Sequence, residues 1–161
     1  MTPKRIISIQ VTNHPGILTR VAGLFSRRGF NIDSIAVGRT EDSAVSRMTI
    51  VLEADQTTGE QLIKQLNKLV DTIKVSDVTD DPTVERELAL IKVSADSGNR
   101  SEILQIVSIF RAKIVDVSER AAIIEVTGDE SKVGALIEML RPFGIKELVR
   151  TGKIALVRTG N

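Results

Sequence analysis

The sequence predicts an α+β chain made of two tandem βαββαβ units, and three observations carry that expectation. Apolar residues switch between a period of two and a period near 3.6 in the same order in each half. A polar, acidic, proline-interrupted stretch, Thr79-Asp80-Asp81-Pro82-Thr83, parts the halves. A hydrophobic fraction of 42% over 161 residues is enough for a core in each.

Ile7, Ile9 and Val11 alternate within residues 6–11, as in a strand with one face on a core. The period then changes. Ile17, Leu18, Val21, Leu24 and Phe25 fall at i, i+1, i+4, i+7 and i+8, with Pro15 at the entrance, Arg27 and Arg28 in the last turn and Gly29 as the stop, which predicts a first helix. Residues 30–40 read as a strand whose apolar positions change phase between Phe30 and Ile32 on one side and Ile35 and Val37 on the other, so a bulge or an edge strand is expected. A hairpin turn over 39–43 leads to a third strand over 45–54, with Met48, Ile50 and Leu52 on one face. A second helix is expected over 58–70, opened by a Thr57/Glu60 capping box and striped by Leu62, Ile63, Leu66, Leu69 and Val70. Residues 71–78, with Ile73 and Val75, close the unit as a strand. Two helices on one face of a four-stranded antiparallel sheet bury these stripes, the ferredoxin-like arrangement.

The second half repeats the order. Residues 88–95 are a strand, and Ile103, Leu104, Val107 and Phe110 mark a helix entered through Asn99 or Ser101. Residues 114–118 and 121–127 form a hairpin around Glu119-Arg120, Val133, Leu136, Ile137 and Leu140 mark a second helix, and 145–149 and 154–157 are terminal strands. The expected division is a first domain over 1–79, a linker over 80–84 and a second ferredoxin-like domain over 85–161.

Acidic and basic residues nearly cancel, for a formal charge of +1, so no strong field gathers phosphate backbones or anionic membranes. Nucleic acid is not an expected partner, since the only aromatic residues, Phe25, Phe30, Phe110 and Phe143, lie in apolar-patterned segments and offer no stacking platform. No membrane partner is expected either, because no stretch approaches the ~20 apolar residues of a spanning helix. Cysteine is absent, which removes disulfides and thiolate sites. Met1-Thr2-Pro3-Lys4-Arg5 lacks the apolar core of a signal peptide, and a cytoplasmic location is expected.

The segment most suggestive of function is Asn13-His14-Pro15-Gly16, between the first strand and the first helix. Backbone N–H groups at a helix entrance have no intrahelical acceptors and sit at the positive end of the macrodipole, so they receive a carboxylate without a basic side chain. Gly16 allows close approach to the main chain or serves only the turn. Asn13 orients a ligand or acts as an ordinary helix cap. His14, the only histidine, has no visible partner set for acid–base chemistry. The Asp80-Asp81 pair lacks the ligand number a calcium or magnesium site requires and reads as solvated linker.

Residues 7–35, from Ile7-Ser8-Ile9 through Asn13-His14-Pro15-Gly16-Ile17-Leu18 to Gly29-Phe30-Asn31-Ile32-Asp33-Ser34-Ile35, closely resemble the ACT domain of the small regulatory subunit of acetolactate synthase (acetohydroxyacid synthase). The resemblance continues through Ser46-Arg47-Met48-Thr49-Ile50, the 65–71 and 84–88 segments and 109–117, covering nearly the whole chain. It implies a non-catalytic subunit that binds and activates a large catalytic subunit in branched-chain amino-acid (valine, leucine, isoleucine) biosynthesis and confers valine feedback inhibition. The partner, not this chain, would carry thiamine diphosphate, magnesium and FAD, and the chain itself is expected to hold no cofactor or metal.

The family arrangement further implies a homodimer of ACT domains paired side by side, with valine where the first loop of one protomer meets the second strand of the other. By that resemblance the effector-binding residues are Asn13, His14, Pro15, Gly16, Ile17, Leu18, Asn31 and Ile32, with no catalytic residue. Ile17 and Leu18 are equally explained as core of the first helix, with Leu18 mostly structural. Asn31 is open to a bland reading as a solvated polar residue at a strand start, and His14 reads as a variable loop residue. Two alternatives remain: an ACT sensor regulating a different metabolic enzyme, and a small ferredoxin-like hydrolase or isomerase using His14.

Overall fold

The structure is a computed structural model that describes residues 3–160. Met1, Thr2 and Asn161, at the outer ends of the two expected domains, lie outside the described residues. The chain forms two compact units, one holding residues up to Val84 together with those from Lys153 onward, the other spanning Glu85–Gly152.

The first unit runs β1 (Lys4–Thr12), α1 (Ile17–Arg28), β2 (Asn31–Arg39), β3 (Val45–Glu53), α2 (Gln56–Asn67) and β4 (Thr72–Asp77). Its strands lie in the order β2-β3-β1-β4, all antiparallel, so β2 and β4 are the edges. Alternation puts Ile7, Ile9, Val11, Met48, Ile50 and Leu52 on one face, where Val21, Leu24 and Phe25 of α1 and Leu62 and Leu66 of α2 cover them. Truncating a fully buried aliphatic such as Leu66 to alanine would cost about 2–5 kcal/mol. The phase change expected in β2 is a register shift against β3 between Ile32 and Ser34.

The second helix departs from expectation at both ends. Asp55, not Thr57, is the N-cap, and its carboxylate accepts from the Thr58 N–H at 2.7 Å. An aspartate with extended backbone meets the third helical N–H and starts the helix two residues before the expected position. The helix ends at Asn67, and Val70, expected on the buried stripe, is 93% exposed.

The second unit contains β5 (Thr83–Ser94) from Glu85 onward, α3 (Arg100–Ile109), β6 (Lys113–Val117), β7 (Ala121–Gly128), α4 (Glu130–Leu140), a 3-10 turn at Arg141–Phe143 and β8 (Ile145–Arg150). Strand order is β6-β7-β5-β8, and Ala89, Ile91, Val93, Ile124 and Val126 pack beneath Ile103, Val107, Val133, Leu136 and Leu140. Both units are therefore α+β sheets of the ferredoxin-like type.

The division differs from the expected 1–79, 80–84 and 85–161. β5 begins at Thr83, inside the expected linker, and β9 (Ile154–Val157), expected to finish the second domain, belongs to the first unit. Ile6 and Val51 are register partners on the face of the first sheet turned away from its helices, and with Val78 they bury Ala155 of β9. That second apolar face requires a cover, and the 153–160 segment supplies it, held by the Arg158 N–H donating to the Pro82 carbonyl at 2.8 Å.

Candidate functional site

The loop between β1 and α1 is shaped by Gly16, whose φ of +85° lies in the left-handed region and which serves as the N-cap of α1 without a side-chain bond. The Ile17 N–H donates to the His14 carbonyl at 3.3 Å and the Arg20 N–H to the Gly16 carbonyl at 3.1 Å. The N–H groups of Leu18 and Thr19 find no acceptor among the described residues. In α2 and α4 the equivalent donor is taken by a cap, Asp55 to Thr58 and Asp129 to Lys132. The α1 entrance is thus left open at its positive end.

Asn13 is not the cap. Its Nδ2 donates to the Ser43 carbonyl at 3.3 Å and its N–H to the Ala44 carbonyl at 2.8 Å, pinning the loop to the β2–β3 hairpin. His14, Pro15 and Gly16 are exposed, and Ile17 is buried in the core. Leu18, read from sequence as mostly structural, is instead 47% exposed beside the loop. A Cβ at Gly16 would meet nothing within 4 Å, so the space in front of the loop is free.

The group that holds this loop was not singled out from the sequence. Asp71, in the turn between α2 and β4, has a side chain only 8% exposed. Its Oδ1 accepts from the Thr12 hydroxyl at 2.9 Å and lies 3.1 Å from His14 Nδ1, while its Oδ2 accepts from Arg20 Nη1 at 2.7 Å. The Asp71 carbonyl also accepts the Thr12 N–H at 2.8 Å. The hydroxyl of Thr12, then the charges of His14 and Arg20, outweigh the penalty of burial and hold this carboxyl below its ordinary range. Its partners lie 51 to 59 residues away in sequence, which is why no local pattern marked it.

Asn31 and Ile32 stand elsewhere. Thr12 is opposite Val45, and Asn31 is opposite Glu53, the two ends of the nine-residue β3. At ~3.3 Å per residue the loop and Asn31 are roughly 25 Å apart along the sheet. The Asn31 Nδ2 donates to Glu53 Oε2 at 3.3 Å, and Ile32 packs against the core. Within one chain the expected site residues do not converge.

A sheet of order β2-β3-β1-β4 beneath two helices, with an uncapped helix entrance after β1, defines the first unit as an ACT domain, and residues 7–74 match the family model described as the AHAS small subunit-like ACT domain. Residues 86–159 match the model described as the small subunit of acetolactate synthase. A chain from Archaeoglobus fulgidus bearing the name "Probable acetolactate synthase small subunit" is 60% identical over 155 residues, covering 96% of this chain and 97% of that one. The acetolactate synthase small subunit of Aquifex aeolicus is 54% identical, covering 96% and 81%. The crystal structure of the Thermotoga maritima acetolactate synthase small subunit superposes with a TM-score of 0.90 at 46% identity and covers 99% of each chain. The chain belongs to the acetolactate synthase small-subunit family, whose members are regulatory and not catalytic subunits. No helix among the described residues is long and apolar enough to cross a membrane.

Proposed function

We propose that this chain associates with the large catalytic subunit of acetolactate synthase, raises its activity and makes it sensitive to valine, which binds where two ACT domains meet. Family membership supports the partner, and the register of the first sheet supports the shared site. Asn31 and the Asn13–Gly16 loop stand at opposite ends of β3, and β2 is an edge with unpaired backbone groups. Two β2 edges joined about a two-fold run antiparallel, which brings Asn31 of one protomer beside the Arg39 end, and hence the loop end, of its partner. This single relation gives both residues a role in one site.

In that site the Leu18 and Thr19 N–H groups receive the effector's carboxylate, and the Asn31 amide of the neighbouring protomer supplies further polar contact. Leu18 and Val37, 47% and 48% exposed, offer apolar surface for a branched side chain. Valine inhibits by binding one arrangement of the holoenzyme more tightly than another, and a coupling of ~1–3 kcal/mol is typical. Thiamine diphosphate, magnesium and flavin are assigned to the large subunit.

Titrating the purified chain with valine, leucine and isoleucine, then adding the large subunit and assaying acetolactate formation, tests the reading. Activation without any branched-chain response would leave a subunit but not a sensor. The shared site has its own test in mixed dimers of Gly16→Asp and Asn31→Ala chains, where one site carries both defects and the other neither. Half-of-sites valine binding supports sharing, and none, with mixed dimers formed, overturns it.

A further inference from the structure

The open α1 entrance raises a question that its glycine cap does not answer: what holds a loop whose own side chains leave its N–H groups uncapped. A serine or aspartate at position 16 would rigidify the entrance but would also occupy the donors that the proposed effector needs. The loop therefore requires a brace from outside, and one carboxylate touches it at three points. Asp71 bonds Thr12 before the loop, His14 within it and Arg20 in the first turn after it. The His14 and Arg20 side chains are 66% and 60% exposed, and each reaches Asp71 through a single nitrogen, Nδ1 and Nη1.

We infer that Asp71 is the positioning residue of the effector loop, fixing the Leu18 and Thr19 N–H groups in the orientation that receives a carboxylate and tying that orientation to the α2–β4 turn. The inference rests on the proposed effector site and extends it to a residue that makes no contact with the effector. Its physical basis is preorganisation: ordering the loop before the ligand arrives removes that cost from binding. The brace is anionic, and it sits behind the loop, where Arg20 neutralises it at 2.7 Å and keeps it from repelling an incoming anion.

Asp71→Asn tests this, because the amide keeps the size of the side chain and leaves the Thr12 N–H to Asp71 carbonyl bond in place. Calorimetric titration should show valine affinity reduced about tenfold, with the melting temperature shifted by only a few degrees. In amide-resolved NMR, the Leu18 and Thr19 resonances of the free variant should lose their single sharp positions, and valine should restore them. Arg20→Gln should also weaken valine binding, and the double variant should be no weaker than Asp71→Asn alone, since both act through one brace. Wild-type valine affinity in Asp71→Asn, with Gly16→Asp still abolishing binding, overturns the inference and leaves the site reading intact. Unchanged affinity in both overturns the site reading as well. Should Asp71→Asn fail to fold, Arg20→Gln carries the test alone, and wild-type affinity there overturns the inference.

Discussion

Gly16 is the residue on which the proposed function is most exposed to test. Replacing it with aspartate puts a fixed negative charge at the helix entrance and forces an L side chain to φ +85°, a strain of ~1–2 kcal/mol. Gly16→Ala carries the strain without the charge. The expected outcome is a reconstituted holoenzyme in which Gly16→Asp abolishes valine inhibition and Gly16→Ala weakens it only partly, measured as acetolactate formation against valine. Asn31→Ala should lose about 1–3 kcal/mol of valine binding through a missing bond to a charged group, read by calorimetry. The loop at Asn13 and Gly16 stood out in the sequence because a proline–glycine pair between a strand and a helix stripe is a local signal, and its place in an effector site is the proposal that these variants test. Asp71 was not, since its role exists only once residues 12, 14, 20 and 71 are folded together.

At the scale of the element, α1 was readable end to end because its stripe, its basic last turn and Gly29 all agree, and Gly29 adopts the left-handed C-cap expected, with φ 68°. The start of α2 was not, since Asp55 and Thr57 both satisfy the capping preference and only the backbone geometry chooses between them. The pairing of β1 with β4 carries a pH-dependent prediction. Burial opposes the charge on Asp77, but bonds from the Thr79 hydroxyl and N–H and from Arg5, at 2.7 Å, prevail and hold its pKa down. A carboxyl depressed in the folded state stabilises above the ordinary aspartate range near pH 4 and loses that contribution as pH falls through the folded value. Asp77→Asn should thus cost about 1–3 kcal/mol at neutral pH and progressively less as the pH falls below the ordinary aspartate range, read from urea unfolding at each pH. The edge strand β2 links ligand and assembly: if the site is shared, valine should tighten the dimer and dilution should weaken valine binding, as followed by analytical ultracentrifugation.

For the whole molecule, the tandem architecture was legible from the repeated change of period, whereas the allegiance of residues 154–157 was not. An alternating apolar strand says that it needs a sheet, not which one. Residues 1–81 should fold on the strength of their own core, with Ile6, Val51 and Val78 laid bare. A chain joining 1–84 to 153–161 through a short glycine–serine linker restores Ala155 to that face and should melt several degrees higher by circular dichroism. Equal melting temperatures would mean that the returning segment adds nothing to the first unit.

The return of β9 also sets an order of events during synthesis. The second unit is continuous in sequence, from Glu85 to Gly152, and all of its strands and helices have been made before Ala155 leaves the ribosome. At about 5–20 residues per second, the first unit waits on the order of ten seconds with its helix-covered core formed and its other apolar face open to water. A nascent chain stalled before residue 153 should therefore bind a hydrophobic dye or a chaperone more strongly than one stalled well beyond 161, because that face closes only once Ala155 has emerged.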